Sequence, residues 1–303
     1  MASDDYPGYR RLVASGKYAE RLAGLKRMLS SCTLCPRLCG VDREAGETGL
    51  CKGGSKASLS SYGPHYGEET PLVGRDGSGT MFFAGCNLGC CFCQNYEISH
   101  LCEGREVSVD ELAGTMLKLQ DMGCHNVNLV TPTHFTPQIA EALKAAAAVG
   151  LKLPVVYNCG GYERPETLRL LEGMVDIYMP DFKFWSASSS ERYLNAPDYP
   201  EVARAALKEM YRQVGDLVIR DGLALRGLLV RHLVMPGHLA DSGAIFKFLA
   251  EEISQTTFVN VMAQYRPCYR SNEFPEIASD LTTGEFRRAL ELAQAAGLTR
   301  IYY

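Results

Sequence analysis

The sequence contains no apolar run of the ~18 residues that a membrane-crossing helix needs. Residues 1–7 are acidic and have no apolar leader core, so no secretory signal is expected. Net charge is low, −4 from 31 basic and 35 acidic residues. That balance leaves no global basic field for nucleic acid or an anionic membrane, and neither is an expected partner. Low-complexity tracts and long internal repeats are also missing. Hydrophobic residues make up 46% and charged residues 22%, the balance of an ordinary globular protein. The expected location is the cytoplasm, and the length suits one large domain with a smaller attachment.

Cysteine, by contrast, is abundant, with 12 in 303 residues. In a reducing compartment such usage points to metal or cluster ligation, not to disulfides. Cys86, Cys90 and Cys93 form a C-x3-C-x2-C loop, GCNLGCCFCQN over 85–95, directly after the apolar run 81–84. Three thiolates this close can hold three irons of a cubane iron–sulfur cluster. A ferredoxin-type cluster takes four, so the three-Cys loop leaves one iron open to a small molecule. A structural zinc loop is the plainer alternative. Cys32, Cys35, Cys39 and Cys51 form a second set, C-x2-C-x3-C-x11-C. Four thiolates at that spacing can fill a tetrahedral zinc site or hold a second cluster, and both readings stay open. Cys91 lies inside the first motif but off its spacing, and Cys102, Cys124, Cys159 and Cys268 are scattered, as buried small hydrophobes are.

From residue 80 onward, apolar runs at 80–85, 126–131, 154–158, 176–181, 228–235 and 258–265 alternate with helical stretches. Ser108 with Glu111, and Thr282 with Glu285, are capping boxes. Pro137 and Pro165 sit where helices begin, and Gly123, Gly150, Gly173, Gly215 and Gly297 where they stop. Six β–α units of this kind predict a parallel sheet with right-handed crossovers, as an open sheet or partial barrel. A closed eight-fold barrel would need two more. The expected division is a helical, Cys-rich metal-binding segment over 1–75 and the α/β domain over 76–303.

In parallel α/β folds, chemistry collects where strands end. The three-Cys loop follows the first strand. Thr131 and Thr133 follow the second, Asn158 ends the third, and Asp181 and Lys183 follow the fourth. Arg231 and His232 lie in the fifth, and Gln264 and Tyr265 end the sixth. Asp181 and Lys183 could form a plain ion pair or serve a bound ligand. The forked donors of Arg231 suit planar oxygens. His232 points to the opposite strand face and reads as a satisfied buried histidine.

The Cys loop resembles the cluster motif of the radical S-adenosylmethionine (SAM) superfamily. Segments 77–86, 125–134, 176–183, 230–237 and 260–267 resemble its PflX-type branch, which contains homologues of the pyruvate formate-lyase activating enzyme. That resemblance implies a TIM-like partial (β/α)6 barrel carrying a 4Fe-4S cluster on Cys86, Cys90 and Cys93 as the catalytic centre, with SAM on the open iron. It implies Phe92 beside the adenine. Thr131 and Thr133 stand where many members carry Gly-Gly-Glu for the SAM amino group. Asn158 replaces an acidic residue near the SAM methionine and a monovalent cation. Asp181 and Lys183 would lie near SAM or a cation, and Arg231 at the SAM carboxylate or ribose. The implied reaction is reductive cleavage of SAM to a 5′-deoxyadenosyl radical that abstracts hydrogen, from a glycine Cα–H of a glycyl radical enzyme in the activase case. An external one-electron reductant, flavodoxin- or ferredoxin-like, would drive it. The competing readings are a radical SAM enzyme acting on a small molecule or RNA, and a non-enzymatic iron–sulfur electron carrier.

Overall fold

The structure, a computed structural model, describes residues 6–303. Helices α1 (Gly8–Ala14) and α2 (Lys17–Arg27) are followed by the Cys-rich stretch, which has no regular structure until β1 (Ala57–His65). Next come α3 (Thr70–Val73), β2 (Ser78–Phe83), the three-Cys loop, α4 (Tyr96–Ser99), β3 (Arg105–Val107), α5 (Val109–Asp121) and β4 (Val127–Val130). Then follow α6 (Thr136–Ala148), β5 (Val155–Cys159), α7 (Pro165–Leu171), β6 (Ile177–Pro180), α8 (Ala187–Leu194), α9 (Tyr199–Val214) and β7 (Val218–Arg220). The chain ends with β8 (Leu223–Leu233), α10 (Leu239–Phe248), β9 (Phe258–Met262), α11 (Thr283–Ala295) and β10 (Arg300–Tyr302).

Local chemistry accounts for the helix limits. The Ser108 hydroxyl accepts from the Glu111 backbone N–H at 3.1 Å, and the Glu111 carboxylate accepts from Ser108 N–H at 2.8 Å. This closes the start of α5 and satisfies two orphan donors. Thr282 and Glu285 do the same for α11. At the far end of α5, Gly123 takes φ +85°, a backbone that a side chain resists.

One sheet runs in the order β10-β9-β8-β6-β5-β4-β2-β1-β3. The strands from β2 to β10 along this path are parallel, while β1, β3 and β7 pair antiparallel with their neighbours. The mixed α/β architecture with a largely parallel sheet is thus as expected. Four strands, β1, β3, β7 and β10, were not anticipated, and β3 and β7 are three-residue antiparallel strands. β10 is a three-residue parallel strand too short to stand out as an apolar run. β1 falls in the segment read as helical and Cys-rich. Its largely exposed SSYGPH stretch, with Gly63 and Pro64, lacks a strand's hydrophobic alternation.

The two faces of the sheet carry different cores. Tyr157, Tyr178, Leu228, Val230 and Val259 face the helices in the main apolar cluster. Their strand neighbours Val156, Ile177, Met179, Leu229 and Phe258 face the concave side, where Leu72 of α3 joins them. Above that floor the concave side turns polar: Asn126 and Asn128 are buried, and Asn260 donates to the buried Glu69 at 2.7 Å. The helical N-terminus is tied to the barrel by Tyr18, whose buried hydroxyl donates to the Ala140 carbonyl at 2.7 Å.

Leu72 is fully buried at the floor of the concave face. Leu72→Ala is expected to cost ~2–5 kcal/mol of unfolding free energy, as core truncations that leave a cavity do. Urea denaturation checks this, and a loss below ~1 kcal/mol would show that α3 is a loose cover instead.

Candidate functional site

The three-Cys loop leaves β2 through a turn at Gly85, where φ is +84°. A Cβ there would stand 2.2 Å from the carbonyl oxygen of Cys51, so only glycine lets the two backbones meet. The loop is then pinned from several directions. Arg37 donates to the carbonyls of Asn87 (3.0 Å), Leu88 (2.9 Å), Leu194 (3.2 Å) and Asn195 (2.6 Å), joining the loop to the end of α8. The Asn87 amide donates to the Tyr162 carbonyl at 2.7 Å. Cys91 N–H donates to the Tyr193 carbonyl, and Arg270 N–H donates to the Cys91 carbonyl, each at 2.9 Å. His100 Nε2 lies 3.0 Å from the Cys90 carbonyl, and Ser99 Oγ lies 3.1 Å from Cys93 Sγ.

Cys86, Cys90 and Cys93 line one cavity of about 350 Å³, together with Phe92, Thr131, Asn158, Asp181, Lys183 and Arg231. Burial pushes the Cys86 and Cys90 thiols up, and the Lys183 ammonium opposes that rise at Cys90. Three soft donors on a dry wall beside a cation are a donor set that iron–sulfur chemistry fits. Phe92 meets Phe184 and Tyr265 edge-on, with ring centroids 5.9 and 6.3 Å apart.

A row of charges crosses the cavity. Asp181 accepts from Lys183 Nζ at 2.6 Å through one oxygen and from Arg231 Nε at 2.8 Å through the other. Arg231 also donates to Asn158 Oδ1 at 2.8 Å, while its third nitrogen stands 3.5 Å from Glu68. Burial alone would raise Asp181, but the two cations outweigh it and hold the carboxyl below its ordinary value. Burial likewise disfavours the charge on Lys183, and the Asp181 carboxylate overrides that to hold the ammonium protonated. Burial raises Glu68, and the nearby Arg231 only partly offsets it. The result is a wall with two fixed cations and a fixed anion, suited to a ligand carrying both signs of charge.

Not every rim residue reaches this cavity. Thr131 lines it with φ +59° and donates its N–H to the Asn158 carbonyl at 2.8 Å. Thr133 does not. It is fully buried and its hydroxyl donates to Glu163 at 2.5 Å, so the expectation of a SAM contact from Thr133 is corrected. A 3-10 turn over Thr133–Phe135 swings it behind the strand end. His232 is buried as expected, with Nδ1 2.7 Å from the Phe182 carbonyl and Nε2 2.8 Å from Ser242 Oγ. Gln264 lines the cavity edge, whereas Tyr265 turns its hydroxyl to the Ile277 carbonyl at 2.5 Å.

In the second cysteine set, Cys32, Cys35 and Cys51 are buried and Cys39 is exposed. Burial pushes Cys35 up to about 12, with Cys51, Glu163 and Cys32 contributing through their negative forms. Arg43, also buried, donates to Cys51 Sγ at 3.0 Å and to the His134 carbonyl, binding this set to the second strand end. Among the described residues, no three His, Cys, Asp or Glu groups are drawn together as ligands of a single metal ion.

Sequence reasoning missed Arg37, Arg43, Glu68 and Glu163. Arg37 and Arg43 are intervening residues of the second cysteine set and Glu68 and Glu163 lie in no motif, and each is brought to its place by long-range contacts.

The chain belongs to the radical SAM superfamily, which it matches over residues 80–237. An uncharacterized protein of Methanocaldococcus jannaschii is 35% identical over 270 residues, spanning 86% of this chain and 74% of that one. Among solved structures, Streptococcus suis SuiB bound to the precursor peptide SuiA aligns with TM-score 0.48 and 12% identity, over 72% of this chain and 46% of that one. SuiB alone aligns with TM-score 0.46 and 13% identity over the same shares. This chain thus spans under half the length of those solved chains.

Two outcomes follow from this geometry. Gly85→Ala is expected to lower thermal stability and iron uptake more than Gly89→Ala. Both have positive φ, but a Cβ at 89 would meet only His100, at 3.9 Å. The left-handed backbone alone costs ~1–3 kcal/mol, so similar losses at both sites would dismiss the Cys51 contact as a constraint. Glu163 is fully buried, and burial raises its carboxyl from the ordinary 4.5 to about 7, against the bonds from Thr133 and Tyr157. The folded protein holds that proton more tightly than the unfolded chain, so the contribution is full below pH 4.5 and is lost as pH rises through about 7. In Glu163→Gln, unfolding free energies across that window should fall less steeply than in the parent. An unchanged slope counts against this assignment.

Proposed function

We propose that this chain cleaves SAM reductively at a 4Fe-4S cluster held by Cys86, Cys90 and Cys93, and that it acts as an activase on a glycyl radical enzyme in the cytoplasm. The observation that carries the SAM reading is the convergence of those three thiols on one cavity with Asn158, Asp181, Lys183 and Arg231. When bound, the cluster and SAM supply one-electron cleavage of the sulfonium and a 5′-deoxyadenosyl radical that takes hydrogen from the substrate.

The chain's own residues prepare that event. Arg37, Asn87 and Gly85 hold the loop in shape, so the thiolates are positioned before any ligand binds. Arg231 keeps two nitrogens on Asp181 and Asn158 and holds the third only loosely, 3.5 Å from Glu68, a contact that a ligand carboxylate can replace. Lys183 stays protonated against Asp181 and keeps positive charge beside Cys90. Phe92 offers an aromatic face to an adenine. Leu233, Met262 and Val130 line the same wall and exclude water from the reacting region. For Cys32, Cys35, Cys39 and Cys51 we propose a second site, for zinc or an auxiliary cluster, that braces the turn at Gly85 through the Cys51 carbonyl.

The activase assignment rests on the resemblance of segments 77–86, 125–134, 176–183, 230–237 and 260–267 to activating-enzyme homologues. With SAM and dithionite under anaerobic conditions, the protein is expected to release 5′-deoxyadenosine. Alanine at Cys86, Cys90 or Cys93 should abolish both that product and the cluster absorbance. A variant that still cleaves SAM refutes the ligand assignment. Glycyl-radical EPR on a candidate partner separates the activase from an enzyme acting on a small molecule or RNA, which would yield deoxyadenosine and no protein radical.

A further inference from the structure

The small helix α3 sits on the concave side of the sheet and is tied to strands far apart in it. Asn126, just before β4, donates to the Leu72 carbonyl at 2.9 Å, and Asn260 of β9 donates to Glu69 at 2.7 Å. The Thr70 hydroxyl lies 2.9 Å from the Tyr302 hydroxyl of β10. These bonds fix which way each amide points. The Leu72 carbonyl can only accept, so Asn126 turns its nitrogen to it and its oxygen to Ser78, whose hydroxyl donates at 2.7 Å. Ser78 Oγ, its proton spent there, accepts from the Asn128 nitrogen at 3.3 Å. The run of bonds therefore ends on Asn128 Oδ1, an acceptor. From the other side, Asn260 engages Glu69 Oε1 and leaves Oε2. Among the described residues, neither Asn128 Oδ1 nor Glu69 Oε2 has a hydrogen-bond partner. Both residues are buried, at 0% and 3% exposure. Burying an acceptor without a donor is costly, and a carboxylate oxygen more so.

The charge balance selects the partner. Glu68, next in the chain, brings a second carboxylate. Burial raises it, Arg231 lowers it, Glu69 raises it again, and Asn128 is among the groups that lower it. Asp181, Glu68 and Glu69 all act on Arg231. Lys183 and Arg231 both face Asp181, and Arg231 reaches Glu68 only at 3.5 Å. Three carboxylates thus share two buried cations, and His65, a further base near Glu68, is exposed. A water molecule would donate to the two oxygens but leave one negative charge unbalanced, whereas a cation answers both needs. Carboxylate and amide oxygens are hard donors, which suit alkali and alkaline-earth ions over transition metals. One excess charge matches a monovalent ion.

We propose that a monovalent alkali cation binds between Glu69 Oε2, Asn128 Oδ1 and the Glu68 carboxylate, and fastens α3 to the barrel wall. The site lies off the charged wall of Asp181, Lys183 and Arg231, since neither Glu69 nor Asn128 lines the ligand cavity. It does not depend on the functional reading above.

The test uses the full chain without cluster or SAM, freed of alkali metal by dialysis into tetramethylammonium chloride, whose bulky ion does not fit. Replacement by KCl or NaCl at equal ionic strength is expected to raise the melting temperature saturably, by roughly 3 °C or more well above Kd. A sodium NMR line broadened by the protein should narrow as potassium displaces sodium. Glu69→Gln keeps an acceptor for Asn260 and supplies a donor for Asn128, so it should melt alike in all three salts. Asn128→Asp adds a carboxylate and should lower the sodium Kd about tenfold, since ligand charge tunes cation affinity. Glu251→Gln, at a side chain 61% exposed, should respond as the parent does. Equal melting of the parent in the three salts overturns the proposal and assigns the two oxygens to water or a shared proton. A full alkali response kept by Glu69→Gln overturns it as well. An Asn128→Asp Kd no lower than the parent's does the same, and decides the matter should Glu69→Gln not fold.

Discussion

The contact between the Cys51 carbonyl and Gly85 sets the geometry on which the site depends. A strand end is normally free to bend many ways, and a loop with three thiols would sample many arrangements. Here the backbone leaves β2 in a left-handed turn that a carbonyl from 34 residues upstream presses into place. Arg37 then gathers carbonyls from the loop and from the end of α8, and Arg43 reaches from Cys51 to His134. The Cys-rich segment thus braces the loop that carries the three thiols.

The second constraint is electrostatic. Placing Asp181, Lys183, Arg231 and Glu68 around one cavity removes four ionisable groups from water, which is unfavourable for each alone. The penalty is tolerable because Asp181 divides its two oxygens between two cations at 2.6 and 2.8 Å. Such an arrangement adds little net stability, since well-packed apolar side chains would do as well. It provides fixed charges in a medium of low polarity, where they act strongly on a ligand. The polar concave side below it, with Asn128, Asn260 and Glu69, continues the same departure from a plain hydrocarbon core.

Much of the architecture was legible along the chain. The capping pairs Ser108–Glu111 and Thr282–Glu285 and the apolar runs from 80 onward marked helices and strands, because those signals act over a few residues. β10 escaped because three residues carry no periodicity. β1 escaped because its pairing with β2, and not its own composition, makes it a strand. The strand-end rule singled out Thr131, Asn158, Asp181, Lys183 and Arg231, which line one cavity. It failed for Thr133, since position after a strand does not specify which way a 3-10 turn faces. Glu68 was invisible, because nothing near it in sequence indicates that its loop opens onto Arg231.

By itself the sequence determined the ligating chemistry: thiols at a C-x3-C-x2-C spacing can gather on one cluster, since a short loop cannot separate them far. It also determined the β–α alternation, because helix caps and buried strands are local properties of composition. Only the tertiary structure decided that Cys51 bears on Gly85, that Arg37 bridges two loops, and that Thr133 faces Glu163. Those relations join residues tens to more than a hundred positions apart. They exist only once the sheet has curved and its helices have closed around it.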